Sequence, residues 1–239
     1  MRTGPPHVSA VLGLVVALAL GAAGCAAEPS APASPAGTAT TASPAPEETV
    51  RRLTPEQLVA AALPDGVVPG SYANPVSVLE RGDDGPEVEP PSEPACVPFL
   101  DALGARSAPS AAGQTFNWKG DVYGGETVLA SYEGTGAQEA FAAVREGLKT
   151  CRYYEQRGRA GLYKGTVALG AAPGVGEESA RFEITAPSEA GPHVTEYTVV
   201  RVGNTVATFS KLSVAGHTVR SFPGGLIAKQ AERLRQAQN

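Results

Sequence analysis

Side chains that commonly carry catalysis are scarce in this sequence. It has three histidines, and we interpret the two that follow the first 24 residues, His193 and His217, as surface residues. No HExxH, G-x-S-x-G or phosphate-loop motif occurs. No aspartate follows Asp121 in the sequence, which limits the choice for a Ser-His-Asp arrangement, although glutamate can substitute for aspartate. The segment Gly174-Val175-Gly176 lacks the third glycine of a dinucleotide-binding site. We therefore predict a protein that is not an enzyme and carries no metal or cofactor.

Positive charge is also in short supply. The formal net charge is −5 over the whole chain, and it becomes −6 without residues 1–24, which hold Arg2 and no acidic side chain. Nucleic-acid binding depends on lysine and arginine side chains that neutralise phosphates. The charge balance therefore argues against a nucleic-acid partner. The basic residues are mostly arginine, and alanine, glycine and proline are abundant, as in proteins of high-GC actinobacteria.

Residues 1–24 have the pattern of a signal peptide. Arg2 precedes an uncharged stretch whose apolar centre, residues 11–20, is shorter than the about 20 residues of a membrane-spanning helix. Small residues at positions 21–24 then precede Cys25, as in a bacterial lipobox. We predict that residues 1–24 are removed and that Cys25 is lipidated. The alternatives are ordinary cleavage that leaves Cys25 as a free thiol, or an uncleaved anchor helix.

Residues 25–52 are predicted to form a disordered tether behind the lipidated cysteine. Positions 26–52 consist largely of proline, alanine, serine and threonine, with almost no large apolar side chain. Such a segment cannot bury enough surface to offset the entropy lost on ordering. A diacylglyceryl group on Cys25 holds a protein firmly at a membrane, because two acyl chains bind far better than one. The predicted location is therefore the extracytoplasmic face of the cell membrane.

The two remaining cysteines, Cys96 and Cys151, are predicted to form a disulfide. Exported proteins fold in an oxidising compartment, where paired cysteines are normally oxidised. The bond would close a loop of 55 residues, which in the chain-entropy model stabilises the fold by about 4 kcal/mol. A metal site is the competing interpretation, but it lacks nearby histidine or cysteine partners.

Residues 53–239 have the pattern of one α+β domain. Thr54-Pro55-Glu56-Gln57 is a capping box that starts a helix, and apolar residues at helical spacing from Ala137 to Cys151 predict a longer one. A short helix is expected at residues 96–103 and an amphipathic helix at residues 225–236. The acidic segment 80–94 is interpreted as a solvated loop, because its carboxylates do not have the spacing of a calcium-binding EF-hand loop. Extended segments are predicted at residues 76–79, 114–118, 126–132, 163–169, 180–185, 194–202 and 205–212.

One region interleaves basic and aromatic side chains in a way that suits an anionic or carbohydrate ligand. Arginine and lysine can form paired hydrogen bonds with such a ligand, and tyrosine rings can stack on it. The alternative is a solvated helix end followed by a loop, since basic residues are favourable near a helix C-terminus. The only tryptophan is assigned either to the core or to a cleft. The candidate ligand-binding residues are Trp118, Arg152, Tyr153, Tyr154, Arg157, Arg159 and Tyr163.

The order of these elements resembles the extracellular sensor domain of PknH-type receptor kinases and of actinobacterial lipoproteins with PknH-like domains. The resemblance covers most of residues 53–239 and rests on five features: the capped helix at residues 53–58, the Cys96 and Cys151 pair, the helix at 140–151, the Gly203-Asn204 hairpin and the C-terminal helix. It implies a curved, mainly antiparallel sheet with packed helices, and a cleft for a ligand. The kinase member has a second disulfide across its last two strands, but residues 194–212 contain no cysteine.

Together these observations predict a membrane-anchored, extracytoplasmic lipoprotein that acts as a non-enzymatic ligand-binding or sensor-like module of the cell envelope. Its expected partners are the membrane, through the lipid anchor, and a small-molecule, anionic or glycan ligand. One alternative is a structural or interaction lipoprotein that docks an envelope protein. A cell-wall hydrolase with an unrecognised site is a further alternative. No kinase domain is found in the 239 residues, so the sequence gives no reason to expect that this chain transmits a signal by itself.

Overall fold

The computed structural model describes residues 51–79, 89–158, 161–189, 191–214 and 221–239. Several predictions lie outside these residues: the signal peptide, Cys25, nearly all of the tether, most of the acidic loop, Arg159 and His217. The described residues belong to one unit, Glu47–Asn239. Within these ranges, no helix combines the length and the apolar character that a bilayer crossing requires.

The described fold is a single α+β domain in which helices pack on one antiparallel sheet, and this confirms the predicted fold class. The helices are α1 (Pro55–Ala61), α2 (Val97–Leu103), α3 (Gly136–Thr150) and α4 (Gly224–Gln238), with 3-10 turns at Asp65–Val67 and Pro94–Cys96. The strands are β1 (Val76–Val78), β2 (Ser110–Phe116), β3 (Gly125–Ser131), β4 (Tyr153–Gly158), β5 (Gly161–Gly170), β6 (Glu178–Ala186), β7 (His193–Val202) and β8 (Thr205–Val214). Their order across the sheet is β1-β2-β3-β8-β7-β6-β5-β4.

Both faces of the sheet are covered in part by helices. Successive side chains of a strand point to opposite faces, so Val199 joins the core beneath α2 and α3 while Val200 joins the core beneath α1 and α4. We call these the first face and the second face. Phe182 is fully buried on the first face, and Phe116 and Phe209 are fully buried on the second. The chain therefore has two apolar cores that share one sheet.

Helix α1 begins at the predicted capping box and is held at its other end by α4. The Thr54 hydroxyl accepts a hydrogen bond from the Gln57 backbone N–H (3.3 Å), and the Gln57 side chain accepts one from the Thr54 N–H (2.9 Å). The last carbonyl groups of α1 have no partner within the helix. Arg233 of α4 supplies donors to them, with its Nε 2.9 Å from the Ala61 carbonyl oxygen. This contact joins α1 to α4 on the second face.

The predicted disulfide is present and joins α2 to α3. Cys96 directly precedes α2 and Cys151 directly follows α3, and both side chains are buried in the first-face core. Between these ends, Gly147 of α3 lies against Phe99 of α2 so closely that a Cβ atom at Gly147 would be 2.3 Å from the Phe99 Cβ. The two helices therefore depend on a glycine for their close approach.

We expect Gly147→Ala to destabilise the protein, although alanine normally stabilises a helix interior by about 1 kcal/mol relative to glycine. The added methyl group overpacks the contact with Phe99 and should lower the free energy of unfolding by about 1–3 kcal/mol. Urea denaturation measures this change. Gly66→Ala is the matched control, because a Cβ atom at Gly66 meets nothing within 4 Å. Equal stability of the two variants would contradict the packing described.

Candidate ligand-binding site

The predicted basic and aromatic region forms a β-hairpin at one edge of the sheet. Residues interpreted as a helix end and loop instead form β4, which pairs with β5. Tyr154 is buried in the first-face core, and a Cβ atom at Gly165 would lie 2.5 Å from its ring. Tyr153 lies on the opposite side of β4, is 42% exposed, and donates its hydroxyl hydrogen to Glu155. The hairpin therefore directs neighbouring tyrosines to different faces.

Most of the positive charge on this hairpin is balanced by carboxylates. Lys164 Nζ lies 2.8 Å from Glu155 Oε1, and Arg157 Nε lies 4.0 Å from Glu89 Oε2. Arg152 is exposed, and Tyr163 packs beside Tyr154 with ring centroids 5.9 Å apart. Residues 89–92 cover the free edge of β4, where the Ser92 N–H donates to the Glu155 carbonyl oxygen (2.8 Å). Among the described basic residues of this edge, Arg157 and Lys164 are therefore compensated, whereas Arg152 has no described carboxylate within 4.0 Å.

Burial raises the pKa of tyrosine hydroxyls in this part of the first face. Loss of hydration is the largest cause for Tyr154, Tyr163 and Tyr197, and together with the nearby charges it raises the pKa of Tyr197 to about 12. Tyr197 stacks on Phe182, with ring centroids 5.2 Å apart. The fold therefore favours the neutral phenol at these positions.

We expect stability to decline with rising pH in the alkaline range. An unfolded tyrosine titrates near pH 10, so stabilisation from the raised pKa of Tyr197 is fully present below that pH and is lost as the pH approaches about 12. Tyr197→Phe keeps the ring and removes the ionisable hydroxyl. In urea unfolding, the variant should lose less stability than the wild type between about pH 9 and pH 11.5, by on the order of 1–2 kcal/mol. Parallel pH profiles would contradict this account.

Trp118 lies near the other edge of the sheet, just beyond the end of β2. Its indole stacks on Phe116 (ring centroids 5.8 Å apart) and meets Phe222 edge-on (5.7 Å). A Cβ atom at Gly125 of β3 would lie 3.0 Å from the indole, so glycine at that position lets the ring rest on the sheet. Trp118 is thus partly buried against the second-face core, and its remaining surface lines a cavity.

Two pockets share Pro69, Trp118 and Pro223 in their walls, and we treat them as one cavity with a larger apolar lobe and a smaller polar lobe. The larger lobe has a volume of about 530 Å³ and the smaller about 220 Å³. The larger lobe is lined by Val67, Pro69, Trp118, Pro223, Gly225, Leu226 and Lys229. The smaller lobe is lined by Pro69, Gly70, Trp118, Lys119, Asp121, Lys211, Ser221 and Pro223. Small-molecule sites typically have such mainly apolar walls with a few polar groups.

A buried lysine forms the floor of the polar lobe. Lys211 of β8 is 3% exposed, and its Nζ lies 3.1 Å from Asp121 Oδ2 and 3.1 Å from the Leu212 carbonyl oxygen. It also donates to the Tyr123 carbonyl oxygen and lies 5.8 Å from the Trp118 ring centroid. Lys211 was not among the candidate residues predicted from the sequence. Alternation along β8 could have identified it, because Lys211 shares a face with buried Phe209.

A second charged group lies behind the polar lobe. Glu196 of β7 is opposite Lys211 in the sheet register and is 8% exposed. Its Oε2 accepts a hydrogen bond from the Ser221 hydroxyl (2.8 Å), and its Oε1 lies 4.0 Å from Arg181 Nε. Lys211 on β8, Glu196 on β7 and Arg181 on β6 therefore form a row of charges of alternating sign on the second face.

The candidate residues predicted from sequence fall into two separate groups. Trp118 follows β2, whereas Arg152, Tyr153, Tyr154, Arg157 and Tyr163 lie on or beside β4 and β5, at the opposite end of the strand order. The structure therefore does not bring them together into one site. Among the described residues, no group of three or more histidine, cysteine, aspartate or glutamate side chains is arranged to hold a metal.

These features define the chain by fold as a single α+β domain with an open, eight-stranded antiparallel sheet and helices packed on it. The fold is similar to the crystal structure of the extracellular domain of PknH from Mycobacterium tuberculosis, with a TM-score of 0.54, 16% sequence identity, and coverage of 78% of this chain and 99% of that chain. The likeness concerns the fold, and it confirms that part of the resemblance.

An X-ray structure of an uncharacterised protein from Mycobacterium smegmatis, the Rv0999 ortholog, is more distant. Its TM-score is 0.37 and its sequence identity is 10%, over 75% of this chain and 95% of that chain. No family model and no curated protein sequence matches the chain significantly.

Proposed function

We propose that this chain is a lipid-anchored, extracytoplasmic protein whose domain binds a small molecule without transforming it. The two-lobed cavity beside Trp118 is the observation that carries the proposal. Its larger lobe falls within the roughly 300–1,000 Å³ range of small-molecule sites. The aromatic wall offers contact area, and the polar lobe offers groups that orient a ligand.

We assign the polar groups of the cavity to binding rather than to catalysis, because no histidine or cysteine is among the described residues that line it. Lys211 is engaged by a carboxylate and two carbonyl oxygens, and the Ser221 hydroxyl is engaged by Glu196. General acid–base or nucleophilic catalysis needs a side chain that can exchange a proton with a reacting group. Groups already held in ion pairs and hydrogen bonds are suited to fixing the shape and charge of a binding site.

The extracytoplasmic location is supported by three separate features. The signal-peptide and lipobox pattern ends at Cys25, the Cys96–Cys151 disulfide suits an oxidising compartment, and the fold is similar to that of a receptor's extracellular domain. The similarity in fold to a receptor's extracellular domain is also our reason for including a sensor-like role in the proposal. In this arrangement, residues 25–52 would connect the lipid anchor to the binding domain.

We expect Cys25→Ser to release the protein from the membrane, because serine lacks the thiol that accepts the diacylglyceryl group. The measurement is the share of protein in the membrane and soluble fractions of the producing cells. Ser30→Ala is the control, since it changes a small polar residue of the same tether and leaves Cys25 and the lipobox pattern intact. Membrane retention of Cys25→Ser would show that lipidation is not the anchor.

Ligand binding can be tested by filling the larger lobe. Gly225 lines that lobe, and a Cβ atom there would meet nothing within 4 Å, so Gly225→Phe adds a ring at the wall of the lobe from an open Cβ position. Gly224→Phe is the matched control, because its Cβ position is also open and Gly224 does not line the lobe. Native mass spectrometry is performed after incubation with small molecules extracted from the producing cells' envelope.

We expect the wild type and Gly224→Phe to retain the same non-covalently bound small molecule. Gly225→Phe should retain it at least about tenfold more weakly, which corresponds to a loss of about 1.4 kcal/mol. The absence of any bound small molecule, or equal retention by Gly225→Phe, would contradict the proposed function.

A further inference from the structure

We infer that the ligand of this cavity is an anionic amphiphile, an apolar body that ends in a carboxylate or phosphate group. This inference rests on the proposed function and specifies the chemistry of the same site. Two observations carry it: two of the three lysines at the cavity, Lys119 and Lys229, form no ion pair with a described residue, and the larger lobe is apolar.

Five of the fifteen lysine and arginine side chains that the structure describes have no described carboxylate within 4.0 Å: Arg51, Lys119, Arg152, Lys229 and Arg233. The others lie within 4.0 Å of an aspartate or glutamate oxygen. Lys119 and Lys229 form no such ion pair, and both are exposed. Lys119 lines the polar lobe and Lys229 lines the apolar lobe, so uncompensated positive charge is present at both.

The acidic groups nearest the cavity are already engaged. Asp121 is paired with Lys211, and Glu196 is held by Ser221 and Arg181. Helix α4 begins at Gly224 beside this cavity with no acidic residue in its first turn, so its N–H groups add partial positive charge. The balance of free groups favours a ligand that supplies acceptors and negative charge.

The apolar lobe defines the rest of the ligand. Val67, Pro223 and Leu226 contribute hydrocarbon surface to it, and Trp118 contributes an aromatic wall. Burying an apolar group against such walls is favourable by about 25 cal/mol per Å² of buried surface. A fully hydrophilic anion would leave this lobe unfilled, and a neutral hydrocarbon would leave Lys119 and Lys229 without a counter-charge. An anionic amphiphile satisfies both parts of the cavity.

The test compares three detergent-like probes that share a dodecyl chain, each below its micellar concentration: dodecyl phosphate, dodecyl maltoside and dodecyltrimethylammonium. Trp118 is the only tryptophan, so its fluorescence reports directly on the cavity. We expect dodecyl phosphate to bind at least about tenfold more tightly than the other two probes. The double variant Lys119→Ala/Lys229→Ala should remove this preference. Lys149→Ala is the control, because Lys149 is exposed and paired with Glu146 on α3.

Each contrary outcome has a distinct meaning. If dodecyl maltoside binds as tightly as dodecyl phosphate, or the double lysine variant keeps the preference, the anionic head group is refuted. If no probe changes the Trp118 emission while Gly225→Phe still blocks the native small molecule, the amphiphile class is refuted and small-molecule binding stands. If Gly225→Phe also has no effect, the proposed function fails together with the inference.

Discussion

Replacing both disulfide cysteines, in the variant Cys96→Ala/Cys151→Ala, is expected to lower the free energy of unfolding by about 4 kcal/mol. The bond spans 55 residues, and its loss restores conformational freedom to a long segment of the unfolded chain. For a domain of this size, the melting temperature should fall by about 8–16 °C. Differential scanning calorimetry of wild type and variant under non-reducing conditions measures the change.

The position of the bond explains why its loss should affect the whole domain. Cys96 and Cys151 are buried in the first-face core, where α2 and α3 contact each other and the sheet. A reducing agent should lower the melting temperature of the wild type and leave that of the Cys96→Ala/Cys151→Ala variant unchanged, which separates loss of the bond from loss of the side chains. An unchanged melt of the wild type, with both thiols shown to be reduced, would contradict this role.

Lys211→Met is expected to lower the free energy of unfolding by about 3–5 kcal/mol, because it removes one partner of a buried ion pair. Methionine has a similar length but cannot donate to Asp121 or to the carbonyl oxygens of Tyr123 and Leu212. The cation near the Trp118 ring is also lost, so the Trp118 emission should change as well. Urea unfolding followed by tryptophan fluorescence measures both effects.

Lys164→Met is the matched control for this prediction. Lys164 also pairs with a carboxylate, that of Glu155, but its side chain is 45% exposed, compared with 3% for Lys211. Exposed ion pairs contribute about 0–1 kcal/mol, so this variant should be nearly as stable as the wild type. If Lys211→Met destabilised the protein no more than Lys164→Met, the buried pair would not support the polar lobe.

The helices were predictable because their signals are local. The capping box at Thr54 and the apolar spacing from Ala137 to Cys151 involve residues within a few turns of one another, and both helices form as expected. Strand β4 was not predicted. Residues 153–158 become a strand by pairing with β5 and by packing Tyr154 over Gly165, and strand formation depends on such neighbours more than on intrinsic preference.

The candidate site could be predicted only in part for the same reason. Trp118 was selected because it is the sole tryptophan, but its cavity is assembled from segments that lie far apart in the sequence, around Val67, Asp121, Lys211 and Pro223. Nothing in the local pattern near Lys211 identifies Asp121 as its partner. The basic residues of the β4–β5 hairpin stood out in the sequence, yet Arg157 and Lys164 are paired with carboxylates that the sequence alone could not assign.

Intact-mass analysis with non-reducing peptide mapping, applied to the mature protein from its native membrane, tests the account most directly. We expect a chain that begins at a diacylated Cys25 and contains a Cys96–Cys151 bridge. This result would establish the envelope lipoprotein on which the proposed binding role depends. An unmodified Cys25, or free thiols at Cys96 and Cys151, would contradict the proposed location and the disulfide-linked fold.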